Sequence, residues 1–272
     1  MSAIILQDLA KIYATGTQAL KSINLKIEDG DFFALLGANG AGKTTIIGIL
    51  TSIVNKTGGK VTVLGHDLDK DVDGLKSQIG VVPQEFNFNI FEKVEDIIVD
   101  QAGFYGVPKK VALERAGELM KALGLWDKRH SPARTLSGGM KRRLMVARAL
   151  VHKPKILLLD EPTAGVDVEL RLEMWDYLKE LNASGTTIVL TTHYLEEVER
   201  LCKNVAIMKK GEIVHRSSVQ SIIEKYQSVE KAYLAITNET LWSKLNWLPF
   251  KQFYEEKLFV SFVFGRKHFY HR

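Results

Sequence analysis

The sequence has a single cysteine and no long hydrophobic run. Because Cys202 stands alone among 272 residues, no intrachain disulfide can form, and the chain fits a reducing compartment. No run of roughly 18 or more residues is apolar and uncharged, so we expect no membrane-spanning helix. The first residues lack the basic segment and long apolar stretch of a secretory signal, so none is expected. Cys202 lies among Val198, Leu201 and Val205 at helical spacing, which predicts a packed, inert thiol.

The composition is that of a globular protein, but the charge is uneven. Hydrophobic residues make up 46% and charged residues 25%, which is enough to bury a core. A length of 272 residues suggests one large domain with an appendage, or two small domains. The net charge of +5 comes from the C-terminal end, because residues 203–272 hold 12 Lys and Arg but 6 Asp and Glu. Such an end suits anionic lipid, nucleic acid or an acidic partner, or is an ordinary solvated surface.

Short apolar runs alternate with helical patterns along most of the chain. Their richness in Val, Ile and Leu indicates strands buried on both faces of a partly parallel sheet. Between residues 86 and 152 apolar residues recur every three or four positions, which predicts a mostly helical insert. Towards the C-terminus the pattern predicts a helix at Ser221–Tyr226 and strands at Ala232–Thr237 and Leu258–Phe264. The other predicted strands are Ile4–Leu6, Ile23–Ile27, Phe32–Leu36, Val61–Leu64, Ile79–Val82, Ile156–Asp160, Thr187–Thr191, Val205–Met208 and Ile213–His215.

Nine consecutive residues, GANGAGKTT, fit the phosphate-loop pattern G-x-x-x-x-G-K-[ST] between an apolar strand and the apolar start of a helix. In such a loop glycines let backbone N–H groups turn inward around phosphate oxygens, and the helix N-terminus adds a positive dipole end. Lys43 supplies a cation for the β- and γ-phosphates, and the Thr44 hydroxyl can hold Mg²⁺. The pattern predicts a site for a tri- or diphosphate that carries Mg²⁺. Its residues are Gly37, Ala38, Asn39, Gly40, Ala41, Gly42, Lys43, Thr44 and Thr45.

A second chemical feature is an apolar strand that ends in two carboxylates. The predicted strand Ile156–Asp160 closes on Asp160, and Glu161 follows directly. A carboxylate at the end of a buried strand is costly unless a cation is near, and Mg²⁺ on a bound phosphate is such a cation. We therefore expect Asp160 to hold Mg²⁺ and Glu161 to polarise the water that attacks the γ-phosphate.

A third segment carries a family resemblance. Leu136–Arg143, LSGGMKRR, resembles the signature motif of the ATP-binding-cassette (ABC) ATPases, and the resemblance covers about residues 2–216. Within the family the chain resembles ATPase subunits of ABC-2-type exporters of drugs, polysaccharides and nodulation factors, because GGMKRR and the AGVD form of the aspartate loop are typical of that branch. The other matching residues are Tyr13 (adenine stacking), Gln84 (glutamine loop), Asp167 (aspartate loop) and His193 (switch histidine).

The resemblance implies an ATP site shared between two subunits of a head-to-tail homodimer. Ser137, Gly138, Gly139 and Asp167 would contact ATP held by the partner subunit. Ser137 is also a good N-cap, and the glycines leave room for a phosphate at the helix end. Met140 departs from the Gln of many members, but the Ser-Gly-Gly contacts do not depend on it. The three basic residues that end the motif are expected to face solvent or pair with acidic neighbours.

The resemblance also assigns roles within one subunit. Glu161, His193 and Gln84 would serve catalysis. Gln84, Thr44 and Asp160 would hold Mg²⁺. Gln84 also lies where the helical insert joins the sheet, so ligand contacts there would tilt the insert, as family members do to pass ATP binding on to a transporter.

These features predict an α/β fold, namely a P-loop NTPase with a mixed sheet core, an antiparallel β edge and a helical ABC-specific subdomain. We expect a nucleotide-binding domain over residues 1–216, with the helical subdomain at about 86–152, and a small appendage of uncertain fold over 217–272. The resemblance implies that the contacts to the transported substrate lie in the permease.

The predicted function is that of the ATP-hydrolysing subunit of an ABC exporter. It would lie on the cytoplasmic face of the membrane and act with an integral ABC-2-type permease on a separate chain, with no nucleic acid as partner. The alternatives are a soluble ABC ATPase that acts on nucleic acid or ribosomes, and an importer ATPase. A single cassette without a heptad run or Cys pairs favours the transporter over the nucleic-acid class.

Overall fold

The computed structural model describes residues 1–163 and 168–237, and this part holds ten strands and nine helices. The chain divides into two compact units, Met1–Val229 and Glu230–Arg272, the second described only over residues 230–237. The strands are β1 (Ser2–Ile12), β2 (Gln18–Glu28), β3 (Phe32–Gly37), β4 (Gly58–Val63), β5 (His66–Asp67), β6 (Ile79–Val82), β7 (Ile156–Asp160), β8 (Thr187–Thr192), β9 (Asn204–Lys209) and β10 (Glu212–Ser218). The helices are α1 (Lys43–Leu50), α2 (Val72–Ser77), α3 (Val94–Phe104), α4 (Lys109–Ala122), α5 (Gly138–Leu150), α6 (Val168–Ala183), α7 (Leu195–Leu201), α8 (Val219–Tyr226) and α9 (Val229–Thr237).

A six-stranded sheet in the order β10-β9-β3-β8-β7-β6 carries the candidate site. Its strands run parallel except for β10, which pairs with β9 in the antiparallel sense. Every residue of β3, β7 and β8 is buried, as expected for apolar strands covered on both faces. Because parallel strands end on the same side, Gly37, Val82, Asp160 and Thr192 lie along one edge of the sheet. Ligands of open α/β sheets bind at this edge.

A four-stranded antiparallel sheet in the order β2-β1-β4-β5 forms the β edge of the fold. One hydrophobic cluster joins both sheets and the first helix, and it includes Leu9 of β1, Ile23 of β2, Leu35 of β3 and Ile46 of α1. This shared core fixes the helix that follows the phosphate loop, because α1 cannot move without disturbing the packing of both sheets.

The predicted insert at residues 86–152 contains α3, α4 and α5, together with two single-turn 3₁₀ helices at Trp126–Lys128 and Ala133–Thr135. α3 packs against α4 and α5, and α5 packs against β6 at the edge of the parallel sheet. The insert therefore joins the sheet through the segment that follows β6. Within the part of the chain that the structure describes, no helix has the length and hydrophobicity needed to cross a bilayer.

The structure confirms the α/β class, with a mixed sheet, an antiparallel edge and a helical subdomain. All nine strands predicted before residue 217 are present, and Ser221–Tyr226 lies in α8. The strand predicted at Ala232–Thr237 is wrong, because these residues belong to α9. Six residues are too few to separate a two-residue from a 3.6-residue period. The strand predicted at Leu258–Phe264 lies outside the described residues, and the domain boundary near 216 stays a prediction. Cys202 is buried, and burial raises the pKa of its thiol.

Candidate nucleotide-binding site

The loop between β3 and α1 has a backbone that only glycine can follow at two points. Gly42 has φ +110°, and a Cβ there would lie 2.8 Å from Leu20 Cδ2 and 2.9 Å from the Ala19 carbonyl oxygen. A Cβ on Gly37 would lie 2.7 Å from the carbonyl oxygen of Met208. Both approaches are too close for a side chain, so the loop is pressed against neighbouring backbone. α1 begins directly after Gly42, which leaves its first N–H groups without partners inside the helix.

Lys43 is a buried cation held by carbonyl oxygens of the loop. It is 5% exposed, and its Nζ donates to the Gly37 oxygen at 2.7 Å and to the Ala38 oxygen at 3.3 Å. Burial lowers the pKa of Lys43, while the negative charges of Glu161 and Asp160 raise it. An ammonium group held in this way can exchange carbonyl oxygens for phosphate oxygens.

Two carboxylates follow one another where β7 ends. Asp160 accepts a hydrogen bond from the hydroxyl of Thr191 on β8. Glu161 is 7% exposed, and it accepts from Gln84 Nε2 at 3.2 Å and from His193 Nδ1 at 3.0 Å. Glu161 also has φ +48°, a left-handed conformation that is strained for a residue with a side chain. The structure thus brings three predicted catalytic residues from three neighbouring strand ends into one hydrogen-bonded group.

A cleft of about 550 Å³ lies beside this group and the phosphate loop. Tyr13 stands at its rim, where its hydroxyl lies 3.3 Å from Thr45 Oγ1. Five other predicted site residues are not in the described lining of the cleft, but each is next to a residue that is. Three of them, Gly37, Ala38 and Ala41, belong to the phosphate loop. Asp160 precedes Glu161 in the chain, and His193 is hydrogen-bonded to Glu161. The cleft is lined by Tyr13, Thr17, Gln18, Ala19, Lys21, Asn39, Gly40, Gly42, Lys43, Thr44, Thr45, Gln84, Glu161 and Lys210.

The signature residues lie on another element and do not line this cleft in the described part of the chain. Ser137 is the N-cap of the 13-residue helix α5, and its Oγ accepts from the Met140 N–H at 3.2 Å. Ser137 and Gly138 are exposed, whereas a Cβ on Gly139 would clash with Leu170 Cδ1. The helix therefore presents an open, polar N-terminus to solvent. Asp167 lies outside the described residues.

A family model described as ABC transporter matches residues 20–164 of this chain. The chain belongs to the ABC transporter ATPases. Linearmycin resistance ATP-binding protein LnrL of Bacillus subtilis is 36% identical over 208 residues, which is 76% of this chain and 67% of the relative. Daunorubicin/doxorubicin resistance ATP-binding protein DrrA of Streptomyces peucetius is 36% identical over 212 residues, or 78% and 64%. A Nod factor export ATP-binding protein I of Cupriavidus pinatubonensis is 36% identical over 209 residues, or 76% and 64%.

The chain thus spans about two thirds of the length of these relatives. Among solved structures, the dimeric form of MJ0796, a bacterial ABC transporter cassette, has a TM-score of 0.73 at 29% identity, covering 79% of this chain and 98% of that one. The post-hydrolysis dimer of the same cassette, bound to ADP and Pi, also has a TM-score of 0.73. The family match and these structural similarities show that the chain has the cassette fold and is an ABC-type ATPase.

One residue of this ATPase does not behave as the sequence predicted. Of the three basic residues that end the signature motif, Arg143 pairs with an acidic neighbour, Glu173. Arg142 does neither of the two things expected, because it is buried and donates to the Pro83 carbonyl oxygen at 2.8 Å and the Gln84 carbonyl oxygen at 2.9 Å. Burial lowers the pKa of Arg142, against a raising contribution from Asp160.

A signal for this position existed in the sequence. Met145, Val146 and Ala149 follow Arg142 at helical spacings of three, four and seven, and all three are buried. The helical period therefore places Arg142 on the inner face of α5. The guanidinium also lies 5.2 Å from the ring centroid of Phe86. Through Arg142, the helix that begins with the signature residues is hydrogen-bonded to the backbone of the glutamine loop.

Proposed function

We propose that this ATPase hydrolyses Mg-ATP in the cleft beside the phosphate loop and powers an ABC-2-type exporter permease carried on a separate chain. The observation that carries the catalytic part is the Glu161 carboxylate, buried at the cleft and oriented by Gln84 and His193. A carboxylate held in place beside a phosphate site is what activation of a water molecule requires.

In this proposal the phosphate loop and Lys43 bind the β- and γ-phosphates. Thr44, Gln84 and Asp160 would hold Mg²⁺, and their hydroxyl, amide and carboxylate oxygens are the donors that this ion prefers. Their small number fits an ion that shares its coordination with phosphates and water. Mg²⁺ would supply charge neutralisation on the β- and γ-phosphate oxygens. Tyr13 at the rim of the cleft would stack on the adenine base.

Glu161 acts as the general base for the attacking water. Each carboxylate oxygen has two lone pairs, so Glu161 can accept from water while Gln84 and His193 hold its orientation. His193, which is bonded to Glu161, would then be able to donate a hydrogen bond to an oxygen of the γ-phosphate. The strained φ of Glu161 fits a residue whose orientation matters more than its local backbone stability.

The second half of each ATP site would come from a partner subunit in a head-to-tail homodimer. Support comes from Ser137 and Gly138, which are exposed at the N-terminus of α5 and do not line the described part of their own cleft. A helix N-terminus favours an anion, and here it would meet the γ-phosphate of the partner's ATP. Gly139 and Asp167 belong to the same proposed contact. The dimeric form of the similar cassette MJ0796 supports this arrangement.

An exporter function is supported by relatives named for linearmycin resistance, daunorubicin/doxorubicin resistance and Nod factor export. A groove of about 800 Å³ beside α3 offers a place for the permease at the cytoplasmic face of the membrane. Its lining combines Phe88 and Phe104, the latter 86% exposed, with charged side chains including Asp100 and Arg148. This mixture suits an amphipathic segment of a permease.

Replacing Glu161 with glutamine tests the catalytic proposal. The amide keeps the shape but cannot accept a proton, so turnover should fall by about 10²–10⁴ while ATP binding stays intact. Without the carboxylate charge the closed dimer should also accumulate in Mg-ATP, visible by gel filtration. Glu224→Gln, an exposed change on α8, is the control. Wild-type turnover in Glu161→Gln would remove this residue from the role.

The dimer and permease proposals have tests of their own. Specific ATPase activity of the isolated subunit should rise with protein concentration and then saturate, and a flat response from a monomer would exclude a shared site.

An integral membrane protein should co-purify with the native subunit. Phe104→Glu should abolish that association, whereas Ile53→Glu, which is also largely exposed but lies outside the groove, should not. A nucleic-acid function predicts no membrane partner.

A further inference from the structure

Glu197 of α7 is a buried carboxylate that the proposed mechanism does not use. It is 1% exposed, and both of its oxygens accept hydrogen bonds. Thr192 Oγ1 donates to Oε2 at 2.5 Å, Thr163 Oγ1 donates to Oε1, and Trp175 Nε1 lies 3.5 Å from Oε1. In residues 1–163 and 168–237 no lysine or arginine pairs with it. A carboxylate is costly to bury without a cation, so we expect Glu197 to have a role beyond packing.

The two hydroxyl donors belong to the segments that carry the proposed catalytic pair. Thr163 follows Glu161 by two residues, and Thr192 directly precedes His193. Thr192 Oγ1 also accepts from the Tyr194 N–H at 2.9 Å, so one hydroxyl connects the two sides of the turn that contains His193. A single carboxylate therefore ties the backbone after Glu161 to the backbone around His193.

The backbone at Glu161 needs support of this kind. Its φ of +48° is unfavourable for a residue with a side chain, and such conformations persist only where the surroundings fix them. On one side the Glu161 N–H donates to the Thr191 carbonyl oxygen at 3.0 Å. On the other side the first side-chain anchor is Thr163, which is held by Glu197.

We propose that Glu197 is a positioning residue for ATP hydrolysis. It acts through Thr163 and Thr192 to hold Glu161 Oε1 and His193 Nδ1 at their separation of 3.0 Å. This inference rests on the proposed function, because it needs Glu161 as the base. Glu197 itself touches neither the cleft lining nor the phosphate loop in the described structure.

The test compares Glu197→Gln with Glu196→Gln. Glutamine keeps the size of Glu197 but replaces one acceptor with a donor that faces a threonine hydroxyl. The catalytic pair should then shift, and turnover at saturating ATP should fall by about 10- to 100-fold, as for small misplacements of reacting groups. The KM and the Kd for ATP should stay within about twofold, since Lys43 and its loop are untouched. Glu196 is the neighbour on α7, but it is exposed and pairs with Arg200, so its replacement should leave turnover unchanged.

A second measurement separates positioning from a general loss of structure. In a Glu161→Gln background the base is already absent, so adding Glu197→Gln should lower the residual single-turnover rate no further. A general structural defect would lower it again and overturn the proposal. Thr192→Val provides an isosteric route to the same answer should Glu197→Gln fail to fold, because it removes one donor and keeps the carboxylate.

The outcomes distinguish this proposal from the one it rests on. If Glu161→Gln loses activity but Glu197→Gln and Thr192→Val retain wild-type turnover, the positioning role is wrong and the proposed base stands. If Glu161→Gln retains activity, the proposed function itself fails. Loss of ATP affinity in Glu197→Gln would also contradict a role confined to the catalytic pair.

Discussion

Replacing Arg142 with lysine should loosen the glutamine loop while leaving the nucleotide site able to bind. The guanidinium makes two hydrogen bonds to backbone oxygens, to Pro83 at 2.8 Å and to Gln84 at 2.9 Å. Lysine presents a single ammonium group on a flexible stem and can replace one of these contacts at best. Loss of one charge-assisted bond costs about 1.5–3 kcal/mol. For a chain of this size each kcal/mol lowers Tm by about 2–4 °C, so Arg142→Lys should melt roughly 3–12 °C below wild type.

The same change has a kinetic consequence because Gln84 donates to Glu161 at 3.2 Å. A loop released from Arg142 orients the carboxylate less well, so turnover should fall by about tenfold, while the Kd for ATP stays within about twofold. Thermal unfolding, steady-state turnover and nucleotide titration of the same preparation check these three statements. Lys141→Gln removes the adjacent cation and should behave as wild type. An Arg142→Lys protein with unchanged Tm and turnover would refute the reasoning.

Three further predictions follow from single groups. Lys43→Ala should weaken ATP binding about ten- to a hundredfold, as measured by nucleotide titration, since a charge-assisted contact contributes roughly 1.5–3 kcal/mol; unchanged affinity would contradict the phosphate-loop assignment. Ser137→Arg should abolish turnover but spare ATP binding by the monomer, because its own phosphate loop is untouched; retained turnover would argue against a shared site. Burial lowers the pKa of His152 to about 4, so the folded protein binds fewer protons than the unfolded chain between about pH 6.5 and 4. Stability should therefore fall as pH drops through that window, by up to about 2 kcal/mol at pH 5, and urea titrations of His152→Phe should show a flatter dependence.

The sequence located Gln84, Glu161 and His193 near one another because each follows a predicted strand, and their catalytic roles stay a prediction. Gln84, Glu161 and His193 directly follow, or nearly follow, the apolar strands β6, β7 and β8. Apolar runs locate strands, and parallel strands that pair side by side bring their carboxyl ends together. The order of the strands in the sheet was not deducible from these runs, because periodicity gives the existence of a strand and not its neighbour.

The burial of Glu197, and the partners of both Arg142 and Glu197, were harder to predict, for a physical reason. Arg142 and Glu197 are charged, and charged side chains lie at the surface unless something compensates their burial. Their compensation comes from backbone carbonyl oxygens and from threonine hydroxyls, which are too common along any chain to form a recognisable pattern. Such partners become visible only when the fold has brought distant segments together.

The position of Arg142 along α5 has a consequence for how two ATP sites would communicate. Ser137 caps the end of the helix that would face the proposed partner. Arg142 lies about one turn further along the helix and is hydrogen-bonded to the glutamine loop of its own site. A helix of 13 residues transmits a shift of one end to the other, because its backbone hydrogen bonds resist bending. When a ligand at the site displaces the backbone of Pro83 and Gln84, the loop must either break its bonds to Arg142 or carry the helix with it. Breaking two charge-assisted bonds would cost about 3–6 kcal/mol, so we expect the signature end to move with the state of its own ATP site.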